Sequence, residues 1–368
     1  MSEEAANDTL PPPAMRETNS AEQQAMSTWS RLHSAVKNLP GPAYVVLTST
    51  PFGILGTLWV SSPATLASLP ILALPTLVMM WIYFRSSTTA EIEKHFEALI
   101  WTFYASGIIS MPLVGTVQSA LSYRAAYLLF GSGREDYLDE FGRSSVSAFS
   151  DSHMEARANL AWTWQNFAFL FLVAFAIDGL AEEVMKYLTV TFVQYRKEKK
   201  RIEQEAKLTE HEGNSTDQLD QEGKLTERHY IAYVIACSLG FSTLENIGFV
   251  VLSEQSDSTE IFALTVMERT LLGVGGHAMM GVMTAIRMIR RDIRGEKLRI
   301  WEVLGPAVLY HGTFDFGVFV VSAMDGNVGW IHPTKPVSLA LLAVVAIGIW
   351  ATLAVHLRSD LQQIRLRS

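Results

Sequence analysis

The feature that most constrains this chain is a series of eight apolar stretches, at roughly 43–61, 63–84, 98–123, 166–193, 229–253, 260–287, 300–323 and 336–356. A bilayer's hydrocarbon core is about 30 Å thick, and a helix crosses it with about 20 apolar residues. A helix also satisfies its own backbone hydrogen bonds, which lipid cannot do for it. The pattern predicts an all-α, polytopic membrane helix bundle of about eight transmembrane helices. Composition agrees, because only 18% of the 368 residues are charged, against about a quarter in a soluble domain. Pro51 and Gly53 interrupt the first stretch and Pro63 follows it closely. A re-entrant pair is therefore the alternative for the first two.

Loop charges set the expected orientation. The N-terminal tail, the second, fourth and sixth connections and the C-terminal tail together hold 22 of the 29 Lys and Arg residues. By the positive-inside rule these regions, and so both termini, face the cytosol. Four regions are expected: a disordered polar tail over 1–40; N-terminal transmembrane helices with an outer loop over 41–165; a four-helix core over 166–323 with a charged cytosolic loop at 194–228; and a last helix with a short tail over 324–368. The loop reads as a helical extension that gives way to a solvated linker. No basic run precedes a short apolar one, so no cleavable signal peptide is expected. The acid behind the net charge of −8 sits largely in the tail and this loop, and no nucleic-acid surface is indicated. The lone cysteine, Cys237, lies in an apolar segment and reads as packing.

Ionisable residues inside membrane helices are costly, rare and usually functional. Segment four holds Asp178 and then Glu182-Glu183-x-x-Lys186. Lys186 is spaced i,i+4 from Glu182 and i,i+3 from Glu183, so it can pair with either. Segment five holds Phe241-x-x-x-Glu245-Asn246, segment six Glu268-Arg269 and Gly275-Gly276-His277, and segment seven His311-x-x-x-Asp315. Arg269 is expected to form a buried ion pair with Glu268 or Glu245, and Asp178 to line or pair within a cavity. Counted from the expected cytosolic ends, Glu182, Glu245, His277 and His311 lie at depths of roughly 15–24 Å. Four helices thus bring carboxylates and imidazoles to one level near the bilayer midplane.

A carboxylate in a low-dielectric site suits a general base, and imidazoles bind a divalent metal or donate to an oxyanion. Asp315 could orient His311, and Asn246 could add a donor. These are the parts of a hydrolase acting inside the membrane. There is no His-Glu-x-x-His zincin helix and no Gly-x-Ser-x-Gly elbow. The four motifs, in this order over 182–315, resemble those of the PrsW family of intramembrane proteases, relatives of the CAAX-prenyl endopeptidases and bacteriocin-processing enzymes. The resemblance implies an intramembrane endopeptidase in which a glutamate activates water with histidine assistance. It implies Glu182, Glu183, His277, His311 and Glu245 as catalytic residues, with Lys186, Asn246, Arg269 and Asp315 supporting them. The family is labelled a metallopeptidase family. Zinc is then the implied cofactor, with His277, His311 and Glu182 as its candidate ligands, and a metal-free glutamate mechanism is the alternative. Glu182 and Glu183 remain alternative bases. The partners implied are the lipid bilayer and a membrane-protein or membrane-associated peptide substrate. Two other classes fit the same charges: a non-catalytic membrane scaffold, and a proton- or ion-coupled transporter using the acids as a relay. No internal repeat supports the transporter.

Overall fold

The computed structural model describes residues 27–143, 150–212, 226–256, 258–333 and 335–366, and among them it contains helices and no strands. Helix α1 (Thr28–Lys37) opens the described chain. It falls within the stretch expected to be disordered, of which residues 1–26 lie outside the described residues. Ser27 caps it by accepting from the Ser30 N–H, and Arg31 donates to the Ser87 carbonyl at 2.6 Å. Helices α2 (Gly41–Ser61) and α3 (Pro63–Ser86) follow as separate helices of 21 and 24 residues. Each is long enough to cross a bilayer at 1.5 Å per residue. A 53-residue helix, α4 (Thr89–Phe141), comes next, and then the short α5 (Asp151–Ala161). Helices α6 (Trp164–Leu172) and α7 (Leu180–Glu212) are joined without a break by a π-helical turn, Val173–Gly179. The set is completed by α8 (Glu227–Glu254), α9 (Thr259–Asp292, with a π-helical turn at Arg269–Gly273), α10 (Ile300–Met324) and α11 (Pro336–Leu366).

Among the described residues seven helices are long and apolar enough to cross a membrane: α2, α3, α4, α8, α9, α10 and α11. The protein is an integral multi-pass membrane protein. The expected fourth span, 166–193, falls on α6, the π-helical turn and α7. This stretch is not among those seven, and it carries Asp178, Glu182, Glu183 and Lys186. It nonetheless packs between α4, α8 and α10. Helix α7 continues to Glu212, so the first part of the charged 194–228 connection is helical; residues 213–225 lie outside the described residues.

Helix α8 is the axis of the bundle, packed against α3, α4, α7 and α9. Its Tyr233, Val234 and Cys237 meet Met283, Ile286 and Ile289 of α9 and Leu353 of α11 in the largest core cluster. Cys237 is fully buried there, free of any disulfide. In lipid there is no hydrophobic drive between helices, so close packing of small residues takes over. A Cβ on Gly240 of α8 would sit 2.0 Å from the Phe103 carbonyl oxygen of α4, so only glycine lets these backbones meet. At one end of the bundle Arg157, its side chain fully buried, binds the Glu140 carboxylate and donates to the Val328 carbonyl at 2.5 Å. That contact ties α4 and α5 to the connection between α10 and α11.

The Gly240 contact gives a direct test. Gly240→Ala is expected to cost about 1–3 kcal/mol, the range for overpacking a tight site. Gly56→Ala is the control, because nothing lies within 4 Å of a Cβ there. Thermal unfolding in detergent should lower the midpoint for the first substitution and leave it unchanged for the second.

Candidate active site

Local backbone geometry aims the ionisable residues inward. The π-helical turn Val173–Gly179 immediately precedes Glu182 and Glu183, and the turn Arg269–Gly273 ends four residues before His277. An extra residue in a turn rotates everything after it about the helix axis, which is why such bulges recur at functional sites. Asn246 of α8 supports the second turn by donating from Nδ2 to the Arg269 carbonyl at 3.1 Å. Glycines fix the spacing around the first. Gly312, beside His311, faces Phe175 so closely that a Cβ would lie 2.3 Å from the ring.

At the centre lies Lys186. Glu182, Glu183, Lys186, His277 and His311 are each 5% exposed or less. The Lys186 ammonium donates to Glu183 Oε1 at 2.8 Å and to His277 Nδ1 at 2.8 Å, with Glu182 Oε2 at 3.5 Å. It also stands 4.7 Å from the Phe241 ring centroid. An ammonium has only donors, so His277 Nδ1 accepts and its Nε2–H donates to Glu245 Oε2 at 2.9 Å. His311 donates from Nδ1 to Glu183 Oε1 at 3.2 Å, and its Nε2 lies 3.3 Å from Asp315 Oδ2. The i,i+4 spacing of His311 and Asp315 thus produces the contact it suggested. Lys186 and Glu183 together hold both imidazoles.

The two adjacent glutamates occupy different environments. Glu182, with Glu245, His277, His311, Asp178 and Asp315, lines a cavity of about 130 Å³ between α7, α8, α9, α10 and α11. Glu183 does not line it and lies behind, in the ion pair with Lys186. Glu182 Oε1 accepts from Gln118 of α4 at 3.2 Å. Its Oε2 is buried and makes no hydrogen bond. One donor atom each from Glu182, His277 and His311 all fall within 4.8 Å of one another. This is a carboxylate and two imidazoles, a donor set suited to zinc. The charge balance points the same way, since five carboxylates surround two fixed cations, Lys186 and Arg269. Buried charges are normally paired or bound to metal. The orphaned Glu182 oxygen and the converging imidazoles therefore fit a divalent cation.

Every residue singled out from the motifs reaches this neighbourhood, with one difference of partner. No ion pair to Arg269 is found among the described residues. Glu268 instead meets His332, at 3.2 Å, and Glu245 meets His277. The Arg269 guanidinium lies 3.4 Å above the Phe249 ring and lines the cavity. Gln118, which donates to Glu182, and Trp350, which lines the cavity, are residues that the motifs did not indicate. A lone amide in the apolar run 111–123 was the available signal for Gln118; Trp350 had none.

Removing one partner from a buried ion pair leaves an uncompensated charge, at a cost of about 3–5 kcal/mol. Lys186→Met is expected to destabilise the protein by that amount. Adding Glu183→Gln to it should recover a large part of the loss, and thermal unfolding of the single and double variants measures the difference.

No curated protein and no solved structure matches the chain. A family model described as PrsW family intramembrane metalloprotease matches residues 142–353, more than half of the chain. That span contains every motif residue and runs past them on both sides, through α5 and into α11. With the motifs in order and their side chains gathered around one buried cavity, the chain belongs to the PrsW family of intramembrane metalloproteases.

Proposed function

We propose that this protein hydrolyses a peptide bond of a membrane-protein substrate within the bilayer, at a zinc site held by Glu182, His277 and His311. The observation that carries the reading is the Glu182 carboxylate, which has an oxygen free of hydrogen bonds inside a donor group of two histidines. When bound, the metal supplies Lewis-acid polarisation of the scissile carbonyl and acidifies a water molecule.

The chain's own residues do the rest. Glu245 lines the cavity beside His277 Nε2 and would be released from that nitrogen when the metal takes it, so it is the carboxylate placed to take the proton from the attacking water and later pass it to the leaving amine. Lys186 holds the His277 ring through Nδ1 and Glu183 holds the His311 ring through Nδ1; the Nε2 atoms, which meet Glu245 and Asp315 in this structure, are the nitrogens that would turn to the metal. Glu183 is thereby a positioning residue, and Glu182 is the glutamate at the reacting centre. Arg269 is the cavity's guanidinium and is available to a substrate carbonyl.

The test uses purified protein in lipid nanodiscs with a single-span reporter peptide. The wild type should carry one zinc per chain and cleave the reporter. Glu182→Gln, His277→Ala and His311→Ala should each lower metal content and reduce cleavage by at least about 100-fold. Full cleavage by Glu182→Gln would overturn the assignment. Cleavage that survives complete chelation would instead make Glu182 a direct base on water. Folded protein with neither zinc nor cleavage would support the scaffold reading.

A further inference from the structure

Beside its charged groups the cavity is lined by apolar side chains, among them Met280 of α9, Tyr310 and Phe314 of α10, and Ile349, Trp350 and Leu353 of α11. Trp350 occupies a particular position among them. Its indole lies so close to α9 that a Cβ on Gly275 would sit 2.3 Å from Cη2 and 2.9 Å from Cζ2. A Cβ on Gly276 would be 4.0 Å from Nε1. The indole is therefore seated on a glycine pair that directly precedes His277, within one helical turn of the reacting centre. Any side chain at 275 would push the ring out of its seat. The cavity measures about 130 Å³, comparable to the ~150 Å³ of an apolar void that holds a single benzene ring.

We propose that Trp350 is the specificity-determining residue of this site. Its indole, held on α9 beside His277, takes up the space on the α11 side of the cavity, so that the substrate is a membrane segment with a small residue, glycine or alanine, beside the scissile bond. The proposal rests on the peptidase reading above and adds to it a side-chain size limit imposed by α11. Gly275 is part of the same device, because it lets the indole approach α9 closely. Helix α11 packs mainly on α9 and α10, which makes it the wall that a bulkier substrate would have to displace.

The experiment compares reporter peptides that differ only in the residue beside the scissile bond: Gly, Ala, Leu or Phe. Wild-type protein should favour Gly and Ala. Trp350→Ala should raise the relative cleavage of the Leu and Phe peptides by at least about tenfold, the scale of discrimination set by pocket volume. Trp350→Phe should fall between the two. Gly275→Ala should tighten the preference for Gly, and combining it with Trp350→Ala should remove that tightening. Binding of the same four peptides to a Glu182→Gln background reads selectivity without turnover. A Trp350→Ala protein with wild-type peptide ratios in both readouts would overturn the proposal while leaving the peptidase reading in place. No cleavage of any peptide by the wild type would overturn the peptidase reading. In that case, size-selective binding lost in Trp350→Ala would still support the pocket, and unselective binding would reject it.

Discussion

The arrangement depends on one buried ammonium. Lys186 sits in a low-dielectric interior where an unpaired charge costs several kcal/mol, and it is stabilised by Glu183 with His277 as a second acceptor. Because Glu183 takes the short contacts to Lys186 and His311, the neighbouring Glu182 is left with an oxygen that accepts no hydrogen bond and meets them only at 3.5 and 3.7 Å. Two consecutive residues of the same type thus acquire different tasks. One holds the histidines in place, and the other presents a carboxylate to the cavity. The adjacency of the pair is itself a helical device, since successive side chains diverge by about 100°.

Placing that ammonium requires four helices to approach at one depth, and the bundle achieves this with glycine contacts and turns of altered pitch. Gly240 admits the α4 backbone, Gly312 admits Phe175, and Gly275 admits Trp350. The π-helical turns at Val173–Gly179 and Arg269–Gly273 lie just before the residues that matter in α7 and α9. Small residues at helix contacts are the usual means of association in lipid. Here they also bring side chains from α7, α9 and α10 into a single group of about 5 Å, as the 4.8 Å spread of the donor atoms shows.

Much of this was legible in the sequence because membrane chemistry leaves few alternatives. Long apolar runs specify helices, and charges within them mark the site; Glu182, Glu245, His277 and His311 stood out for that reason alone. The i,i+3 and i,i+4 spacings correctly indicated the Lys186 and Asp315 contacts. What spacing could not convey was rotation about the helix axis. It left Glu182 and Glu183 equivalent, and it paired Arg269 with a carboxylate where the fold stacks it on Phe249 and gives Glu268 to His332. Gln118 and Trp350 come from helices that carry no motif, so only the packing brings Gln118 to Glu182 and Trp350 to the cavity. The helix over Thr28–Lys37 was masked by a polar composition that resembles a tail.

The most direct test of the central claim is X-ray absorption at the zinc edge of the metal-loaded protein. The account predicts nitrogen and oxygen ligands at about 2.0–2.2 Å, two of them imidazoles and none a thiolate. In His277→Ala the imidazole scattering should fall by half. A zinc spectrum unchanged by His277→Ala and by Glu182→Gln, or one dominated by sulfur from Cys237, would contradict it.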